Sequence, residues 1–302
     1  MGDILQLLRM PAFFMISGLL FRMEKYPTLK YFIKHRSIQL LVPYFFFFLI
    51  FYILWLVGGR NWIGGNDMEC SIWQPLFEFV YGTPYLIIAP YWFVCCLFSI
   101  QIIYYLSIKY LPRPLALLFF CVSPILCSFD AFQNLPWNIS NAFLYIPLYA
   151  FANQYKDLIK GLSTKHILPA SIMLVVALTG IYCMKDYHPA VNNLLRTVYS
   201  VLIIPAYVFF IKAISYCIKT DKAAQFIGKN TIIILALQNY FVGTVKLTFP
   251  SWVNEGSIFT NIIMTVLNIA FCCIPIYFIN KYTPFIVGRG TYFENKLKTN
   301  KE

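Results

Sequence analysis

Charge is scarce in this chain, and negative charge scarcest. Of 302 residues only 12% are Asp, Glu, Lys or Arg, and 12 acids stand against 24 bases. A soluble domain covers itself with about twice that share of charged residues, so an ordinary water-soluble globule is excluded. Histidine is scarcer still: His35, His166 and His188 fall on separate segments, without Cys or carboxylate partners at ligand spacing. That excludes a zinc-type metal site. Alternation of apolar and polar residues is missing where it would matter, because Tyr44 to Val57 and Ile258 to Ile279 are apolar on every face. A transmembrane barrel, which needs alternating segments of roughly ten residues, is excluded with it. The chain also shows no internal repeat, no low-complexity tract and, ahead of Ile4, no basic leader with a small-residue cleavage site.

What is present in quantity is apolar sequence, 60% of all residues with a mean hydropathy of +0.67. A span takes about 20 apolar residues, and this chain supplies such runs repeatedly. The reading is an all-α polytopic transmembrane helix bundle of about nine spans. They are Ile4 to Phe21, Ile38 to Gly58, Tyr91 to Tyr110, Leu115 to Ser128, Asn141 to Tyr155, Ile167 to Met184, Leu195 to Cys217, Thr231 to Phe249 and Ile258 to Asn280. The spans at Leu115 and Asn141 are short for a hydrocarbon core of roughly 30 Å. A transmembrane domain over residues 1–284 with a basic tail over 285–302 describes the organisation.

Orientation follows from Lys and Arg, whose excess marks cytoplasmic loops. Arg22, Lys25, Lys30, Lys34 and Arg36 follow the first span, and the bias repeats at every second loop through Lys109 and Arg113, Lys156 to Lys165, and Lys219 to Lys229. Lys281, Arg289, Lys296, Lys298 and Lys301 close the series, whereas Asp67, Glu69, Asp130, Asp186 and Glu255 occupy the alternate loops. The C-terminus is therefore expected in the cytoplasm and Met1 outside, in a bacterial inner or plasma membrane. An inbound helix ahead of Met1 would account for that layout most simply. The formal charge of +12 reflects this topology and attraction to anionic membrane lipid, with no case for nucleic acid.

The nine cysteines lie mostly inside apolar spans, where the residue behaves as a small hydrophobe. Cys70 and Cys183, at outer positions, are the one pair that a bridge would suit. Arg9 stands within the first span beside Pro11. An ionisable group there costs a few kcal/mol unless it meets a cavity, a partner or the interface. Pro11, lacking an N–H, is expected to bend or break the helix. The outer loop from Gly58 to Tyr91 holds Gly58-Gly59, Gly64-Gly65, Trp62 and Trp73, a composition that fits either a lid or a flexible connection. Leu76 to Tyr81 within it reads as a short amphipathic turn.

Four segments, in order, carry a resemblance. They are Arg9-Met10-Pro11-Ala12-Phe13-Phe14-Met15-Ile16-Ser17-Gly18-Leu19-Leu20, then Lys34-His35-Arg36 running into Leu40-Leu41-Val42-Pro43-Tyr44, then Tyr91-Trp92-Phe93, then Ile227-Gly228-Lys229-Asn230-Thr231. Together they resemble signatures of the acyltransferase 3 family of membrane acyltransferases. The resemblance implies about ten helices and transfer of an acyl group, commonly acetyl from cytosolic acetyl-CoA, to a hydroxyl of a sugar or lipid-linked glycan. It implies a helix start at Gly228-Lys229-Asn230-Thr231 and donor-phosphate binding by Lys34 and Arg36, although the family often carries two arginines in that segment. Ordinary positive-inside anchoring would also explain both residues.

Two departures bear on activity. In the family a histidine near the outer end of the first helix is expected to act as base, worth about 10²–10⁴-fold; here no histidine precedes His35. Related members also carry a histidine where this chain has Gln238, which exchanges hydrogen bonds but takes no proton at neutral pH. The candidate roles are then Arg9 as a fixed catalytic charge, with the base unknown, and Trp92 and Gln238 toward the acceptor. Against these stand an interfacial anchor for Tyr91 and Trp92, and a helix-to-helix hydrogen bond for Gln238 and Asn239. Asp186 with His188 reads as a solvated loop or as an acid and base pair. The expected function is a membrane O-acetyltransferase of a cell-envelope polysaccharide. The competing readings are a glycan or lipid-intermediate transporter, of which Arg9 is the only mark, and an inactive truncated acyltransferase.

Overall fold

Backbone polar groups in hydrocarbon find partners only within a helix or a closed barrel, so runs this apolar are obliged to coil. The computed structural model describes residues 2–58, 70–183, 188–217, 221–248 and 257–289, with the side chains of 2–9, 164, 214–217, 221, 223, 246–247 and 258 outside that description. In chain order the helices are α1 (Gly2–Leu20), α2 (Leu29–Arg36), α3 (Val42–Val57), α4 (Gln74–Tyr81), α5 (Tyr85–Ile88), α6 (Trp92–Tyr110) and α7 (Arg113–Leu126). They continue with α8 (Asp130–Gln133), α9 (Ile139–Gln154), α10 (Lys156–Lys160), α11 (Ile167–Tyr182), α12 (Pro189–Cys217), α13 (Asp221–Thr248) and α14 (Ile258–Tyr282). No strand occurs among the described residues. The fold is the all-α membrane bundle that the composition requires.

Each of the nine expected spans coincides with one of these helices, and four stretches are long and apolar enough to cross a bilayer outright: Leu29–Val57, Tyr85–Tyr110, Pro189–Ala213 and Phe259–Tyr282. The outward surface agrees, since Leu168, Val175, Phe210, Val266 and Ile274 are each at least 60% exposed. Apolar surface on this scale belongs against lipid. Boundaries differ at the ends. α13 begins at Asp221, ten residues before the expected start, because Asp221-Lys222-Ala223-Ala224-Gln225 contains good helix formers that extend the coil beyond its apolar part. The Gly228-Lys229-Asn230-Thr231 motif therefore lies inside a helix. α1 likewise runs on through Pro11, where a bend or a break was expected, so the helix is not broken there.

The helices group into two compact units, one formed by Met1–Lys25 with Ser99–Asp221 and the other by Tyr26–Phe98 with Lys222–Glu302. In the first, α1 packs along α9, α7 packs on α9 and α12, and α11 packs on α12. The approach of α1 to α9 depends on Gly18, where a Cβ would fall within 3.0 Å of the Tyr149 Cα and carbonyl carbon, and closer still to its oxygen. Asn153 then ties off α1: its Nδ2 donates to the Gly18 and Phe21 carbonyls at 2.8 and 2.7 Å, while its Oδ1 accepts from Tyr104 Oη at 2.8 Å. The Gly18 carbonyl also accepts from the Phe21 N–H at 3.2 Å, so Asn153 reinforces the end of the helix, where carbonyls run out of intrahelical donors. Phe14 stacks on Tyr145 at 4.6 Å, and Met15, Ala152, Ile159 and Ile204 form a buried cluster.

In the second unit α3 is the centre. Its Tyr44 hydroxyl donates to the Phe79 carbonyl of α4 at 2.7 Å, and Phe48 stacks on Phe79 at 4.2 Å. The amphipathic turn expected at Leu76–Tyr81 is thus an eight-residue helix, ended by Gly82 in the left-handed region at φ 86°. Tyr91 is fully buried and donates to the Ile232 carbonyl of α13 at 3.0 Å. It is a tether within the unit, where a headgroup anchor was expected. Cys70 and Cys183 are both free thiols, so the bridge considered above does not form. Gly59, Gly64, Gly65 and Trp62 of the outer loop, and Asp186, lie outside the described residues.

Candidate functional site

The basic segment expected to meet an acyl donor folds as one short helix joined to a span. α2 starts at Thr28, whose Oγ1 accepts from the Tyr31 N–H at 3.2 Å, a standard N-cap that fixes its first turn. The helix carries Lys30 in its first turn and Lys34, His35 and Arg36 in its last. Ser37–Leu41 then widens into a π-turn, with the Val42 N–H reaching back to the Ser37 carbonyl. Pro43 supplies the cause: it has no N–H for the carbonyl of Gln39, and its ring crowds that carbonyl, so the coil absorbs the conflict by widening one turn earlier.

Lys34 and Arg36 are two residues apart, about 200° round the helix, and accordingly have different surroundings. Lys34 lines a small surface pocket, open to solvent, with Thr28, Lys30 and Tyr31. Lys30 sits one turn before Lys34, which brings two ammonium groups to one pocket. Arg36 donates from Nη1 to Gln39 Oε1 at 3.0 Å and lies 5.1 Å over the Tyr26 ring. Tyr26 also packs edge-on against Phe32 at 5.1 Å and His35 at 5.4 Å. Burial pushes the Tyr26 phenol above its ordinary pKa and the Arg36 charge pulls it back in part, so Tyr26 stays neutral at physiological pH.

The other predicted residues lie elsewhere. Trp92 is half-buried at the head of α6, with its ring edge-on to Phe93 at 6.5 Å. Gln238 is half-buried on α13. Their helices are tied together by the Tyr91 bond to Ile232, six residues before Gln238. Tyr240, two residues on, stacks on Phe51 of α3 at 3.9 Å, and its buried hydroxyl has no hydrogen-bond partner among the described residues. Arg9 lies on α1, with its side chain outside the described ones. Two histidines have local duties: the Nδ1 of His166 accepts from the Ser163 N–H at 3.1 Å, and that of His188 accepts from the Ala190 N–H at 3.4 Å. No group of three metal-ligating side chains occurs among the described residues.

Behind the π-turn stands a network that sequence reasoning missed. Asn230, 3% exposed, donates to the Phe226 carbonyl at 2.9 Å and accepts from Asn280 Nδ2 at 3.0 Å. Arg289 adds Nη1 bonds to Asn280 Oδ1 at 2.8 Å and Asn230 Oδ1 at 3.2 Å, and an Nη2 bond to the Lys229 carbonyl. The turn Pro284–Val287 leads into it, and Gly288 follows at φ 66° with the Ile38 carbonyl so close that any Cβ would collide with it. Phe285 meets Phe46 of α3 at 5.6 Å. The sequence signals for this were Asn230 in the Gly228-Lys229-Asn230-Thr231 motif at the start of one span and Asn280 at the end of another.

No curated protein and no solved structure gives a match to this chain. A family model does: that of the acyltransferase domain, acyltransferase 3, matches residues 2–277. The match takes in all four signature segments and every helix that carries a predicted site residue. This chain is therefore an integral membrane protein and a member of the acyltransferase 3 family.

Proposed function

We propose that this acyltransferase takes acetyl from cytosolic acetyl-CoA and places it on a hydroxyl of a cell-envelope glycan or lipid-linked sugar. The observation that carries the reading is the pocket of Thr28, Lys30, Tyr31 and Lys34 on the basic helix α2. By the charge rule this helix faces the cytoplasm, where acyl-CoA is found. Two ammonium groups over an open pocket suit a polyphosphate, and Arg36, already oriented by Gln39 and Tyr26, adds a third cation at the end of the same helix.

The chemistry is one displacement. The acceptor oxygen attacks the thioester carbonyl carbon, the C–S bond breaks, and the hydroxyl proton ends on the departing CoA sulfur. The negative charge on the carbonyl oxygen in between is what a fixed cation stabilises, and Arg9 is the residue of α1 suited to that role. Trp92 offers a ring on which a sugar can stack, and Gln238 offers an amide for a sugar hydroxyl. Neither supplies a base.

The test is transfer in native membranes. Vesicles from cells with the intact gene, from a deletion strain, and from a Lys34→Ala/Arg36→Ala strain receive acetyl-labelled acetyl-CoA. Label is expected in envelope glycan with the intact gene, absent in the deletion, and lowered about tenfold or more in the double variant. Equal labelling with and without the gene overturns the reading. Glycan that crosses the membrane only with the gene, and without label, would make the protein a transporter.

A further inference from the structure

Arg289 falls beyond the family match, which ends at residue 277, yet it is among the most heavily bonded cations in its unit. Its guanidinium meets three acceptors: the side-chain oxygens of Asn230 and Asn280, and the Lys229 carbonyl. Asn280 in turn donates to Asn230, so the three side chains close a ring across the early part of α13, the end of α14 and the segment after it. A guanidinium committed in this way cannot also take a phosphate without giving up bonds within the protein. The geometry therefore points to holding rather than binding.

What is held can be followed residue by residue. The backbone N–H of Arg289 donates to the Pro284 carbonyl at 3.0 Å, closing the turn over Pro284–Val287. Gly288, left-handed, lies directly on the Ile38 carbonyl, and Phe285 lies on Phe46. Ile38 belongs to the π-turn, two residues after Arg36 and one before Gln39, the residue that orients Arg36. A π-turn is a weak point in a helix because its backbone bonds are poorly aligned. Here it is also the joint between the basic helix α2 and the span α3.

We propose that Arg289, with Asn230 and Asn280, is a positioning clasp: it presses the 284–288 turn against the π-turn and so sets the direction in which α2 presents Lys30, Lys34 and Arg36 to the acyl donor. The donor half of this statement rests on the function proposed above; the mechanical half does not. The clasp works through α2 and touches no substrate. Releasing it lets the joint flex, so donor binding weakens while the chemical step is unchanged. Coupling carried through packed elements of this kind shifts affinity by about 3- to 30-fold.

The experiment uses the full chain purified in detergent, as wild type, Arg289→Ala, Arg289→Lys, Asn280→Ala and the double alanine variant. Hydrogen exchange of amides 34–41 reads the clasp, and KM and kcat for acetyl-CoA read its consequence. The expected result is faster exchange confined to the 34–41 region, a KM for acetyl-CoA raised by about 3- to 30-fold with kcat nearly constant, no further loss in the double variant, and partial rescue by lysine. Unchanged exchange at 34–41 in Arg289→Ala overturns the clasp. A KM effect for Arg289→Ala with none for Asn280→Ala overturns it in favour of direct donor contact. Faster exchange with an unchanged KM refutes the link to the donor site. Should the folded wild type fail to use acetyl-CoA while exchange responds as stated, the proposed function falls and the clasp stands.

Discussion

One methyl group added at Gly18 should melt this protein early, and the same group added at Gly228 should not. At Gly18 the new Cβ meets the backbone of Tyr149, within 3.0 Å of two carbons and nearer to the oxygen, and backbone cannot rotate away as a side chain can. α1 and α9 have to part by a few tenths of an ångström or more. Overpacking of this kind costs about 1–3 kcal/mol. The same movement stretches both Asn153 bonds, to the carbonyls of Gly18 and Phe21, each worth roughly 0.6–1.5 kcal/mol. Alanine's better helix propensity returns about 0.5–1 kcal/mol, leaving a net loss of about 2–4 kcal/mol. At Gly228 a Cβ would meet nothing within 4 Å, so only the favourable propensity remains. A thermal ramp followed by the loss of helical circular dichroism would read both variants, because the described residues of both units are helical almost throughout. Gly18→Ala should lower the transition by about 5–10 °C, and Gly228→Ala should leave it level or raise it slightly. Equal transitions for the two variants would falsify the claim that backbone contact at Gly18 sets the spacing of α1 and α9.

Asn153→Leu should be as harmful as Gly18→Ala, since it removes the acceptor of Tyr104 Oη and both amide bonds to the Gly18 and Phe21 carbonyls, at about 2–4 kcal/mol; Asn153→Asp, which keeps an acceptor but loses both donors, should recover little in the same ramp. Tyr91→Phe should cost about 1 kcal/mol, by losing its bond to Ile232, and a melting curve identical to wild type would show that the bond is idle. Tyr26 has its phenol pKa raised from 10.0, so the folded state favours the protonated form; that stability is complete below pH 10 and is lost as pH rises past it. Wild type should therefore lose stability above pH 10 more steeply than Tyr26→Phe, and parallel curves would contradict the assignment. Lys30→Ala and Lys34→Ala should each raise the KM for acetyl-CoA by about 3- to 10-fold, an effect that shrinks with added salt because the pocket is open to solvent. A salt-independent KM would count against phosphate contact.

The helices behind the expected spans were readable because length and unbroken apolarity are properties of a run, and a run can be read without knowing what lies beside it. Gly18 was visible as part of a signature, but its purpose was not, since the oxygen it must clear belongs to Tyr149, far along the chain. The same distance hid Tyr91: an aromatic at a span's end reads as a headgroup anchor, and only the position of the Ile232 carbonyl shows that it is interior. Local conflict was easier to anticipate in kind than in outcome. Pro11 and Pro43 both deny a carbonyl its donor, yet α1 runs on through the first while the chain widens into a π-turn before the second. At the candidate site, Lys34 and Arg36 were legible as basic residues beside a span. Lys30 became their companion only when one helical turn was known to join it to Lys34 at a pocket. The Arg289 network could not be read at all, because polar side chains 50 to 60 residues apart carry no periodic mark of their pairing.

The two units are interleaved along the chain, 1–25 with 99–221 and 26–98 with 222–302, and this order imposes a schedule on biosynthesis. Neither unit can close while its first segment is being made. The first waits for α12, and the second waits for α14. Tyr91 is separated by 141 residues from the carbonyl that accepts its hydrogen bond, so at roughly 5–20 residues per second its hydroxyl spends on the order of ten seconds in the membrane before that partner exists. The nascent chain must survive that interval as a set of loose helices with exposed polar groups, which makes it a client for whatever membrane chaperone can shelter a half-built span.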